Sequence, residues 1–142
     1  MIDGTDKAII QILEDNARAS FLDVAKQLKI SESTARKRIH NLESEGIIKK
    51  YSAIIEPVKV GYGSVALVGI DVISERFLSV AKALTEFDNV KFVATCTGDH
   101  MLMVEIWMEK PYELRNFISE KIAKLEGVIR TCPAIINEKL KG

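Results

Sequence analysis

The sequence predicts an α+β chain of two unlike parts, three short helices followed by a strand–helix–strand–strand–helix–strand order. Apolar residues recur at helical spacing through the first 45 residues, whereas from residue 64 on the pattern alternates between strand and helix periodicity. The length of 142 residues suits one compact domain or two very small ones.

Composition narrows the function classes. Lys+Arg and Asp+Glu both number 20, so the formal net charge is zero. With 47% hydrophobic and 28% charged residues the chain is expected to bury a core. No run approaches the ~20 apolar residues of a membrane span. Met1 leads straight into a segment with Asp3 and Asp6, which does not read as a signal peptide. Cys96 and Cys132 are too few for a disulfide scaffold and lack zinc-site spacing. A cytoplasmic protein without metal or cofactor is expected.

The first helix is predicted over 6–16, with Ile9, Ile12 and Leu13 at helical spacing and Thr5 as its cap. Ser20 caps a second, with Asp23 in capping-box position and Val24, Ala25 and Leu28 inward. Lys29-Ile30-Ser31 is only long enough for a turn. A third helix follows over 32–45, capped by Ser31 and ended by Gly46. Two short helices across a three-residue turn are the helix-turn-helix pattern.

On the third helix Ala35, Ile39 and Leu42 form an apolar stripe. Opposite lie Ser33, Lys37, His40 and Ser44, flanked by Thr34, Arg36 and Asn41. Arg36, Lys37 and Arg38 stand together, and no acid falls between Glu32 and Glu43. Residues 1–50 carry nine Lys/Arg and eight Asp/Glu, so this basic character is local. A solvated helix face has the same appearance. A helix entering the major groove, however, needs both features: hydroxyls and amides to reach base edges, and cations for phosphates. Ser31, Ser33, Thr34, Arg36, Lys37, Arg38, His40 and Asn41 are the candidate DNA contacts.

The run Asp23-Val24-Ala25-Lys26-Gln27-Leu28-Lys29-Ile30-Ser31-Glu32-Ser33-Thr34-Ala35-Arg36-Lys37-Arg38-Ile39, with Leu42 and Gly46-Ile47-Ile48, resembles the DNA-binding motif of the Lrp/AsnC (feast/famine) transcription regulators. Ile2-Asp3-Gly4-Thr5-Asp6 and Asn16-Ala17-Arg18-Ala19-Ser20 are similar to that family's first helix and its exit, and the length matches too. The resemblance implies a winged-helix-like DNA-binding domain, here 1–56, then a linker at 57–63 and a ligand-sensing, oligomerising domain at 64–142.

Ile47-Ile48 and the alternation Tyr51, Ala53, Ile55 suggest a strand, before Pro57, Gly61 and Gly63 punctuate the chain. Beyond them strands are predicted at 65–73, 90–97, 101–109 and 128–137, and helices at 75–87 and 111–126. The first of these helices presents Phe77, Val80, Ala81 and Leu84. The second opens at Pro111, carries Leu114, Phe117, Ile118, Ile122 and Leu125, and stops at Gly127. The order βαββαβ is the ferredoxin-like split, which the resembled family also carries.

In that fold both helices cover one sheet face. Ala66, Val68, Ile70, Val72, Leu102, Val104, Ile106 and Met108 fall to one side; Val65, Leu67, Met101, Met103 and Trp107 fall to the other. An apolar face of that size needs a cover, either a second copy of the sheet or the N-terminal domain. The resemblance implies dimers through this sheet, and tetramers or octamers built from them.

Thr97-Gly98-Asp99-His100 reads as a tight turn between apolar strands, and turn chemistry alone accounts for Gly98-Asp99. The resemblance adds a role, because the family holds a Gly-Asp loop here whose amides meet an amino-acid effector where dimers touch. His100 and Met101 replace the usual aromatic and acid or amide. Asp71, beside the second sheet face, needs a cationic or hydrogen-bonding partner: an effector's ammonium, or an Arg or Lys of a neighbouring subunit. Thr131 joins the effector set by family position.

An enzyme is not indicated. The two histidines, His40 and His100, lie in different domains, and HExxH, P-loop and dinucleotide motifs are absent. Cys96 and Cys132 fall on opposite sheet edges and read as buried free thiols, while Pro133 suits an edge strand. The function expected is a sequence-specific transcription regulator responding to an amino acid. The alternative is an architectural DNA-binding protein without a ligand, which zero net charge disfavours.

Overall fold

The computed structural model describes residues 1–142, which separate into two units at Ala53/Ile54. The first holds helices α1 (Gly4–Asp15), α2 (Phe21–Leu28) and α3 (Glu32–Ser44). Asp3, rather than Thr5, caps α1. Its side chain accepts from the Asp6 amide at 2.9 Å, and the Asp6 carboxylate accepts from the Asp3 amide at 3.2 Å. Each carboxylate thereby satisfies one amide that the first turn leaves unpaired. Ser20 and Asp23 make the same reciprocal pair at α2, as their spacing suggested.

The helices close over Ile9, Leu13, Val24, Ala25, Ala35, Ile39 and Leu42, with Leu28 half-buried at the margin. Full burial of side chains such as Ile9 or Leu42 contributes about 1.5–3 kcal/mol each. Lys29 takes a left-handed turn (φ 56°) between α2 and α3, which lets two short helices pack against each other.

The strand suggested around Tyr51, Ala53 and Ile55 does not form. Residues 49–56 are irregular and mostly exposed, because no other segment of the chain pairs with them. A lone strand leaves its backbone groups to water and gains no ladder.

The second unit has strands β1 (Ser64–Val72), β2 (Val90–Thr95), β3 (Leu102–Met108) and β4 (Val128–Ile135). They form one antiparallel sheet in the order β2-β3-β1-β4, as the ferredoxin-like split requires. Helices α4 (Phe77–Thr85) and α5 (Pro111–Phe117) are shorter than their patterns suggest. A 3₁₀ turn at Ser74–Arg76 precedes α4, and a π turn at Ile118–Ile122 takes over the end of α5. Val80, Leu84, Leu114, Phe117, Ile118 and Ile122 pack on Ala66, Val68, Ile70, Leu102, Val104 and Ile106.

Residues 57–63, expected as a linker, pack with this unit. Pro57 is buried in a 3₁₀ turn, Tyr62 lies against Trp107, and the Gly63 amide donates to the Glu109 carbonyl at 3.2 Å. The cysteines are free, as expected, but not buried: Cys96 is exposed just beyond the end of β2, and Cys132 is half-exposed on edge strand β4. Edge positions lack a neighbouring strand to cover them.

Candidate nucleic-acid and effector sites

Ser33, Thr34, Arg36, Lys37, His40 and Asn41 are all exposed on α3, opposite the buried Ala35, Ile39 and Leu42. Lys37 has no carboxylate partner, which leaves its ammonium available. The Arg36 guanidinium lies 4.7 Å from the Phe21 ring centroid and 2.9 Å from Glu32, so it is held but still half-exposed. His40 pairs with Glu43 at 3.1 Å. Ser31 acts first as the helix cap. Its hydroxyl accepts from the Thr34 amide at 3.1 Å and lies 2.8 Å from the Thr34 hydroxyl, which occupies it locally.

Arg38 departs from the expected set. It turns towards α1, where its Nη1 donates to both Asp3 oxygens at 2.8 and 3.0 Å and to Asp6 at 3.0 Å. Its place beside Ile39, on the flank of the apolar stripe, is what the triplet Arg36-Lys37-Arg38 concealed. Arg38 therefore ties α3 to the start of α1. The Asp6 amide first, and then Arg38, hold the Asp3 carboxyl below its ordinary value of 3.8. A carboxyl that titrates lower when folded stabilises fully above about pH 4, and that contribution is lost as pH falls through the depressed value. Arg38→Ala should therefore move the acid unfolding midpoint to higher pH and lower the thermal midpoint at pH 7. Melting curves from pH 2 to 7 that superimpose for parent and variant would refute the strut.

In the second unit the loop between β2 and β3 closes with the Cys96 amide donating to the Met101 carbonyl at 2.8 Å. Gly98 takes φ 139°, a conformation that excludes most side chains, and Thr97, Gly98 and Asp99 are exposed. His100 folds back onto β1. Its ring lies where a side chain on Gly69 would stand, 2.4 Å from the position of a Cβ there. Its Nδ1 is 3.4 Å from Asp71 Oδ1.

Arg130, opposite Asp71 on β4, brings its Nε to 4.0 Å from Asp71 Oδ2 and 2.9 Å from Cys132 Sγ. Its guanidinium is held above its ordinary value chiefly by Cys132, with Asp71 and Asp99 adding to it. The partners of Asp71 thus come from its own chain. Gly69 and Arg130 lie outside the site residues expected from the sequence, and Cys132 is expected only as a buried thiol, although a lone Asp and a lone Arg in otherwise apolar strands are a legible signal.

Thr131 stands apart from this group. It pairs with Ile70, whose side chain is in the helix-side core, so it faces away from His100 and Asp71. Met101 likewise leaves the expected open-face set. It precedes β3 and packs on the helix-side core, because strand alternation does not bind a turn residue. On the face opposite the helices Val65 pairs with Trp107 and Gly69 with Met103, with Leu67 beside Glu105; Val65 is already buried within the chain, while Leu67, Met103 and Trp107 stay partly exposed. Trp107 Nε1 donates to Glu105 at 2.7 Å, and Lys139 donates to the same carboxylate oxygen at 2.5 Å.

No helix is long and apolar enough to cross a membrane, and no group of three or more His, Cys, Asp or Glu residues could hold a metal ion. Residues 2–49 match the description "winged helix-turn-helix DNA-binding", and residues 65–141 match "Lrp/AsnC ligand binding domain". The chain is 46% identical over 141 residues to the HTH-type transcriptional regulator LrpA of Pyrococcus horikoshii, covering 99% of this chain and 100% of that one. It is 37% identical to LrpA1 of Halobacterium salinarum, covering 98% of each. A Neisseria meningitidis transcriptional regulator solved as an L-Met complex shares the fold at TM-score 0.89 and 20% identity, covering 100% of this chain and 94% of that one.

Proposed function

The chain belongs to the Lrp/AsnC family of transcription regulators, and on that premise we propose that it binds specific DNA sites through α3 and answers to an amino-acid effector at the Gly98-Asp99-His100 loop. The relatives are named regulators, not enzymes. The observation that carries the DNA reading is the exposed face of α3, where the unpaired Lys37 stands among hydroxyl and amide side chains. Cations neutralise phosphates and the short polar groups reach base edges.

For the effector, support comes from the ligand-domain match, from L-Met in the Neisseria regulator, and from the loop's chemistry. Gly98 lets backbone amides approach a carboxylate. Asp99 and Asp71 supply carboxylates for an ammonium, and Arg130 stands close to Asp71 as a second anion contact. Binding where dimers meet would couple the ligand to assembly, and by linkage assembly would raise ligand affinity.

The test is calorimetry with each of the twenty amino acids at millimolar concentration. One or a few should release or absorb heat and shift the oligomer distribution. Asp99→Ala should lose both responses while keeping DNA binding. Gly69→Ala, whose added methyl group displaces His100, should change ligand affinity without unfolding the sheet. No heat with any amino acid would favour the architectural reading.

A further inference from the structure

His40 is held on α3 from two sides. Its Nδ1 lies 3.1 Å from Glu43 Oε1, and its ring meets the Phe21 ring edge-on with centroids 5.5 Å apart. Glu43 in turn faces Tyr51, whose phenol is pushed above its ordinary range, first by burial and then by the charge of Glu43 and a hydrogen bond to it. These four side chains rim a hollow of about 230 Å³ backed by Leu13 and Ile39. The His40 side chain is still 61% exposed, and its Nε2 has no partner.

The chemistry of the pair assigns the tautomer. A carboxylate only accepts, so the ring hydrogen belongs on Nδ1. The neutral imidazole then presents a lone pair, not a hydrogen, at Nε2. A lone pair has no use for a phosphate oxygen, nor for guanine O6 and N7, which are all acceptors. In the major groove its complement is an exocyclic amino group, N6 of adenine or N4 of cytosine.

We propose that His40 is a base-reading residue that accepts a hydrogen bond from adenine or cytosine, with Glu43, Tyr51 and Phe21 as its positioning residues. This rests on the reading that α3 enters DNA. It divides the labour of the helix: Lys37 meets the backbone, and His40 distinguishes sequence.

The experiment selects binding sites from a random duplex library at pH 8, using the full chain, His40→Ala and Glu43→Gln. Salt-dependent anisotropy on one selected site accompanies it. The selection should fix one base pair in each half-site, and on the selected site replacing its amino-bearing base by the des-amino analogue (purine for adenine, 2-pyrimidinone for cytosine) should weaken the parent roughly tenfold. His40→Ala should flatten that position alone and leave the salt slope unchanged. Glu43→Gln, whose amide can also donate to Nδ1 and so release the tautomer, should flatten the same position. Nitrogen-15 spectra should show the Nδ1–H form of His40 in the parent and a mixture of tautomers in Glu43→Gln. Three results overturn the proposal: a salt slope lowered by about one with the profile intact, no loss of affinity with the des-amino base, or no change in His40→Ala. Failure of the parent to bind any duplex would overturn the DNA reading, and this proposal with it.

Discussion

Arg36→Ala combined with Lys37→Ala should lower DNA affinity by about two orders of magnitude at physiological salt. Both side chains are exposed on α3, and no residue of the buried stripe is touched, so the fold should survive. Each lost phosphate contact reduces the dependence of log K on log salt by about 0.9. Lys37→Ala alone should therefore lower the slope by roughly one per bound chain. Arg36 already shares its charge with Glu32 and its plane with Phe21, so its single loss should be the smaller of the two. Arg38→Ala should leave the slope unchanged and act on stability instead, because its charge is spent on Asp3 and Asp6. Anisotropy titrations across a salt series check all three. Parent-like binding by the double variant would sink the assignment.

Trp107→Asp should abolish self-association. The proposed contact is the sheet face opposite the helices, where Trp107 stands across from Val65 and is still partly exposed, against Tyr62. An Asp there would lie beside Glu105 and lose the indole donor that Glu105 accepts from. Lys139 already meets the charge of Glu105, so the added carboxylate, sealed between sheets, is the one left uncompensated, which costs several kcal/mol of association. The helix-side core is untouched, so the variant should stay folded as a monomer. Light scattering with circular dichroism at micromolar concentration tests this. A folded monomer of the parent chain would refute the interface outright.

Much of the fold was legible because its determinants are local. The pair Ser20/Asp23, the cap Ser31 and the stripe Ala35, Ile39, Leu42 each lie within a few turns of chain, where spacing alone decides which groups can meet. The βαββαβ order was equally readable, because periods of 2 and 3.6 residues distinguish strand from helix without knowledge of neighbours. The capping of α1 was legible in principle, since Asp3 and Asp6 have the same spacing as Ser20 and Asp23.

What the sequence by itself determined is therefore the succession of elements, their inward faces and the exposed cationic side of α3. The tertiary structure alone decided the pairings that join distant segments. Arg38 meets Asp3 across 35 residues, and His100 seats itself in the space left by Gly69 and reaches Asp71. Strand register puts Thr131 on the helix side, away from Asp71, and a turn takes Met101 off the face expected of it. A strand suggested by alternation near Tyr51 stays irregular for want of a partner. Periodicity reports which face of an element is apolar. It carries no information about which distant group will stand opposite, and that depends on how the elements pack once the apolar faces are buried.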